Sequence, residues 1–65
     1  MRIKEHDSVA LSRPLPEHDL QIGDVGAVVF VHRNSEAYEV EFIAGEGKTV
    51  GVLTLKPEDI RCLSA

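Results

Sequence analysis

Apolar and polar residues alternate with a period of two along most of the chain, and nowhere is the spacing of an amphipathic helix sustained. Asp7 to Arg13 places Val9 and Leu11 on one side and Ser8, Ala10 and Ser12 on the other, which predicts a first strand. Pro14 and Pro16 stop it, because proline lacks the N–H that a ladder needs. A long loop follows, with Leu15, Leu20 and Ile22 expected to point inward. Val25 to Arg33 is apolar on both faces. Ala27, Val29 and Val31 share one, Val28 and Phe30 the other, as in a central or strongly curled strand.

Asn34 and Ser35 are turn formers. Ala37 to Ile43 then alternates cleanly, with Tyr38, Val40 and Phe42 inward and Glu39 and Glu41 outward. The A-G-E-G-K run at 44–48 predicts a hairpin turn. Lys48 to Leu55 reads as a fourth strand, with Val50 and Val52 facing one way and Leu53 and Leu55 the other. Pro57, Glu58 and Asp59 suit one short 3₁₀ turn. Ile60 to Leu63 returns to strand, with Ile60 and Cys62 on a shared face.

Five short strands, a long first loop and a 3₁₀ turn before the last strand predict an all-β fold, a small SH3-like five-stranded barrel. An OB-type barrel is the chief alternative, but it needs a longer chain and a helix between strands. The apolar content changes nothing in this picture: Val is the commonest apolar residue with eight copies, and such β-branched side chains suit a pleated surface. Sixty-five residues make one domain over 1–65, burying only ~60% of the unfolded surface. Stability that marginal invites added support.

The spacing of Gly23 and Gly26 before an apolar run raises the question of a phosphate loop. Such a loop must open a helix, with backbone N–H groups facing the anion. Here A-V-V-F-V follows, which is strand, and the lysine and hydroxyl of a phosphate-binding motif are absent. Bending is the simpler purpose. Gly23 can take a positive φ in a type II turn, Asp24 can accept backbone N–H bonds there, and Gly26 can permit a bulge or a close backbone approach.

The combination D-S-V-A-L at 7–11, L-P-E-H-D-L at 15–20, G-D-V-G-A-V-V at 23–29 and A-Y-E-V-E-F at 37–42 resembles a small uncharacterised bacterial family of stand-alone chains, catalogued as a domain of unknown function. The resemblance covers nearly the whole chain. Its G-D-x-G-x-V-V element is also similar to the strand start after the long loop in KOW-type and other SH3-like barrels. The resemblance implies the fold and a free-standing bacterial protein. It implies no activity and no functional residues.

Charge and chemistry narrow the function classes. The net charge is −4, and the seven basic residues are scattered, which disfavours nucleic acid and anionic membranes. One cysteine excludes an internal disulfide, and no run reaches signal-peptide or membrane-span length, so a cytoplasmic protein is expected. His6, His18 and His32 lack the close ligand pairs of a zinc site. Cys62 reads as a small core hydrophobe, and the Glu39–Glu41 pair as a solubilising edge. No catalytic machinery, metal or cofactor is expected.

The R-P-L-P run at 13–16 looks like a polyproline ligand but reads more simply as part of the long loop. Glu17, His18 and Asp19 at that loop's tip are the chosen partner contacts, flanked by His32, Arg33 and Glu36 around the next turn. The expected role is a non-catalytic protein-interaction or accessory module, self-associating through surplus apolar surface. The alternatives are a KOW-like nucleic-acid binder, a fold-level analogy only, or one half of a toxin–antitoxin pair.

Overall fold

The computed structural model describes residues 3–43 and 49–63. Five strands, β1 (Ser8–Leu11), β2 (Val25–Val31), β3 (Tyr38–Ile43), β4 (Thr49–Leu55) and β5 (Ile60–Cys62), form one antiparallel sheet in the order β4-β3-β2-β1-β5. Short 3₁₀ turns occupy Pro16–His18, Arg33–Ser35 and Pro57–Asp59. The described residues contain no α-helix, and none of their helices could cross a membrane. The all-β expectation and the 3₁₀ turn before the last strand therefore hold. Among the described residues, ladder pairing does not close the sheet into a cylinder: β4 and β5 are its two edges. The hairpin predicted at 44–48 lies outside the described residues.

Val9, Leu11, Leu15, Leu20, Val28, Tyr38, Val40, Phe42, Leu55 and Ile60 are buried together, with Val31, Leu53 and Cys62 packed against them. Tyr38, Val40 and Phe42 point inward as alternation predicts. Ile3 joins this core as well, a position the pattern did not single out. The N-terminal segment is tied down by main-chain bonds that alternation cannot reveal: the His6 N–H donates to the Val28 carbonyl at 2.7 Å, and the Val28 N–H to the Asp7 carbonyl at 2.9 Å.

One irregularity reverses part of the prediction. Val28 pairs with Val40, but the next pair is Phe30 with Glu39, so Val29 is an extra residue on β2. A bulge of this kind shifts every later side chain to the opposite face. Val31 consequently turns to the core and Phe30 turns out, 49% exposed, where strict alternation places it inside with Val28. The bulge sits at Val29, three residues beyond Gly26. Ile22 is a second correction: it is 65% exposed, because it occupies a corner of the turn that aims it away from the sheet.

That turn has the geometry expected of it. The Asp24 N–H donates to the Gln21 carbonyl at 3.0 Å, and Gly23 between them has φ +93°. A positive φ at the third position is the mark of a type II turn. Asp24 Oδ2 accepts the Gln21 N–H at 2.8 Å, closing the turn from the other side. Gly26 serves a different need. A Cβ placed there would lie 2.7 Å from Val40 Cγ1, 2.8 Å from the Glu41 carbonyl oxygen and 2.9 Å from Phe42 Cδ1. Only hydrogen fits where β2 crosses so close to β3.

Candidate functional site

The end of β4 and the tip of the long loop enclose a cleft of about 160 Å³, lined by Arg13, Leu15, Glu17, His18, Leu53, Thr54 and Leu55. Buried Leu15 and Leu55 and half-buried Leu53 lie at its base, and its exposed lining is mostly polar. Its rim is polar and exposed. The loop holds its shape through a bridge between Leu15 and Leu20, the Leu15 N–H donating to the Leu20 carbonyl at 2.9 Å and the reverse bond measuring 3.1 Å. Pro16 begins the 3₁₀ turn that lifts Glu17 and His18 to the rim, and Asp19 ends it in the left-handed region at φ 58°.

Arg13 anchors the other end of the loop. Its Nε donates to Asp59 Oδ1 at 2.6 Å. Asp59 is buried and also accepts the Lys56 N–H at 3.0 Å, so it caps the last 3₁₀ turn while holding the loop. The hydrogen bond from Arg13 keeps the Asp59 carboxyl below its ordinary range, against the opposing effect of burial. The same bond raises the Arg13 pKa further, and Glu17 and Glu58 lie near enough to add to that effect.

Thr54 connects the cleft to a second polar group. Its hydroxyl donates to Glu39 on the neighbouring strand, 2.8 Å from each carboxylate oxygen. Glu39 Oε2 lies 2.6 Å from His32 Nε2. His32 in turn meets Phe30 edge-on, with ring centroids 5.1 Å apart. The contact with His32, followed by that with Thr54, lowers the Glu39 pKa. The β2 bulge creates this row, since it brings Phe30, Glu39 and Thr54 side by side on the outer face.

Glu17 and His18 thus line the cleft, and His32 reaches it through Glu39 and Thr54. Asp19, Arg33 and Glu36 line neither this cleft nor the Glu39 cluster; Arg33 and Glu36 belong to the turn after β2, where Asn34 and Ser35 take φ 59° and 56°. Sequence reading missed Arg13, Thr54 and Glu39. Alternation says that Glu39 faces outward, but only the register says what stands beside it.

The next row of the outer face mixes polar and apolar residues. Ser8, Ala27, Glu41 and Val52 align across four strands, and Val25, Gly26, Ala27, Ser8 and Glu41 line a shallow depression there. Val25 and Val52 are each about half exposed, at 52% and 50%. Among the described residues, no group of three His, Cys, Asp or Glu side chains is arranged to hold a metal ion. Cys62 lies half-buried on β5, its Sγ 4.0 Å from Asp7 Oδ2.

An antiparallel five-stranded sheet with a loop-bordered cleft and a partly apolar outer face defines the class: a small all-β domain. Residues 5–62 match the model of the family described as Domain of unknown function (DUF4926), and the chain belongs to that family. No curated protein and no solved structure matches the chain.

Proposed function

We propose that this protein is a non-catalytic interaction or accessory module of SH3-like architecture that works by binding another polypeptide surface. The strand order, with β1 joining β2 to β5 and a 3₁₀ turn before β5, supports the SH3-like reading. The observation that carries the binding role is the outer face of the sheet. Val25, Val29, Phe30 and Val52 are between 41% and 52% exposed on strands β2 and β4, beside Ala27. A sheet face normally turns polar residues to water. Several large apolar side chains exposed together on a domain this small favour burial against a partner or a second copy.

Light scattering on a size-exclusion column, joined to affinity capture from the native host, tests this reading. The wild-type chain is expected to self-associate or to retain a discrete protein. Val25→Lys with Val52→Lys is expected to abolish that behaviour while leaving the thermal melt unchanged. A chain that stays a 7.1 kDa monomer at high concentration and captures no protein overturns the proposal. So does RNA binding that weakens steeply with salt, which would favour the KOW-like alternative.

A further inference from the structure

We infer that the outer face of the sheet docks a second copy of this chain across a two-fold axis, with Arg61 of each copy meeting Glu41 of the other; this rests on the interaction-module reading above. Register places both residues on that face. Arg61 pairs with Ala10 and Ala10 with Val25, so these three side chains share one side of the sheet. Ser8, Ala27, Glu41 and Val52 form the adjoining row on the same side, because alternate residues of a strand point the same way. Leu63 follows Arg61 by two residues, and its N–H donates to the Ser8 carbonyl at 2.9 Å. Exposed Val25 and Ala27 thus lie between a cation on β5 and a carboxylate on β3.

Among the described residues, neither Arg61 nor Glu41 enters an ion pair or a side-chain hydrogen bond. They stand three strand positions from each other, roughly 14 Å at the usual spacing. Glu41 has Ala27 and Val52 as its cross-strand neighbours, so no cation balances it along its own row. An isologous interface needs one patch that complements itself. A two-fold axis running between β1 and β2 exchanges those strands, and exchanges β5 with β3. Each Arg61 then comes over Glu41 of the second copy, and Val25 and Ala27 are buried between the two pairs. A second copy supplies both signs by symmetry, whereas an unrelated partner has to supply each separately. Glu39, the other carboxylate of this face, is already engaged by His32 and Thr54. The face is therefore near charge balance although the chain carries −4, and charge elsewhere is screened beyond about 8 Å at physiological salt. The patch is small, so the dimer is weak and forms with rising concentration.

The test reverses each charge alone and then mixes the products, with sedimentation at graded concentrations as the readout. The wild-type chain is expected to dimerise. Glu41→Arg alone and Arg61→Glu alone should each weaken the dimer by about tenfold or more, since each sets like charges face to face. An equimolar mixture of the two variants should dimerise as the wild type does, because both contacts then join opposite charges, and this recovery also shows that both variants fold. Glu41→Gln and Arg61→Gln, which remove charge without reversing it, should weaken the dimer by about threefold. On dilution of the ¹⁵N-labelled wild-type chain, amide shifts should map to Ser8, Val25, Ala27, Glu41 and Arg61 and leave Leu15 to His18 in place. A dimer that neither reversal disturbs, or a mixture of variants with wild-type thermal melts that stays monomeric, overturns the proposal. A wild-type chain that stays monomeric at high concentration also overturns it. In that case, capture of a different protein that Val25→Lys with Val52→Lys abolishes leaves the interaction-module reading standing, and loss of both self-association and capture removes that reading as well.

Discussion

Arg13 Nε stands 2.6 Å from Asp59 Oδ1, joining the start of the long loop to the final 3₁₀ turn across 46 residues of sequence. The pair is asymmetric: the arginine is half-exposed, whereas only 8% of the aspartate side chain is accessible. Asp59 is thus the structural member, with Arg13 completing its hydrogen bonding. Because the loop forms one wall of the cleft, this contact governs the site as well as the fold.

Asp59→Ala should destabilise the protein by about 1–2 kcal/mol, the usual cost of losing a cap, and should loosen the loop. Chemical denaturation measures the first effect, and amide exchange at Leu15 to His18 the second. Arg13→Ala should act in the same direction. An unchanged denaturation midpoint in Asp59→Ala would contradict this role.

The same carboxylate sets a pH dependence. Its pKa is lower in the folded protein than in the unfolded chain. Its stabilising contribution is therefore fully present above the unfolded value, near 4, and is lost as pH falls through the folded value. Glu39 shares this sign. Acid titration of stability should show a loss below about pH 4, reduced in Asp59→Asn.

His32 is expected to hold the Glu39 carboxylate in its ionised form. NMR titration of the Glu39 carboxyl should give a value below the ordinary glutamate range in the wild-type chain. In His32→Ala it should move back up, with Thr54 retaining part of the depression. No movement would mean that the 2.6 Å contact carries no electrostatic weight.

Gly23 and Gly26 should respond differently to substitution. Gly26→Val meets the Glu41 backbone and the Val40 side chain, and should cost about 1–3 kcal/mol through overpacking. Gly23→Ala meets open space and should cost about 1 kcal/mol from its left-handed backbone alone. Paired denaturation curves compare the two, and equal costs would remove the distinction.

His6 occupies the position in the Lys4–Asp7 turn that Gly23 occupies in Gln21–Asp24, with φ 75°. In both turns the final aspartate accepts the first residue's N–H, at 2.9 Å for Asp7. His6→Gly should therefore raise stability by roughly 0.5 kcal/mol, the backbone relief exceeding the added chain entropy. A loss of stability would show that the imidazole contributes more than its backbone strain costs.

Sequence alone determined the features governed by neighbouring residues. The five extended segments follow from alternation, the turn at 21–24 from Gly23 and Asp24, and the final 3₁₀ turn from Pro57 with its acidic successors. Gly26 was legible as a point of close approach because a missing side chain in an otherwise apolar strand needs a reason. Tertiary structure alone decided what depends on register. The extra residue at Val29 turns Phe30 outward, and no local signal marks it, since valine and phenylalanine fit either face of a strand. The meeting of Thr54 with Glu39 and His32, and of Arg13 with Asp59, likewise depends on which strands become neighbours. Periodicity assigns a side chain to a face; only pairing across the sheet decides what it touches there.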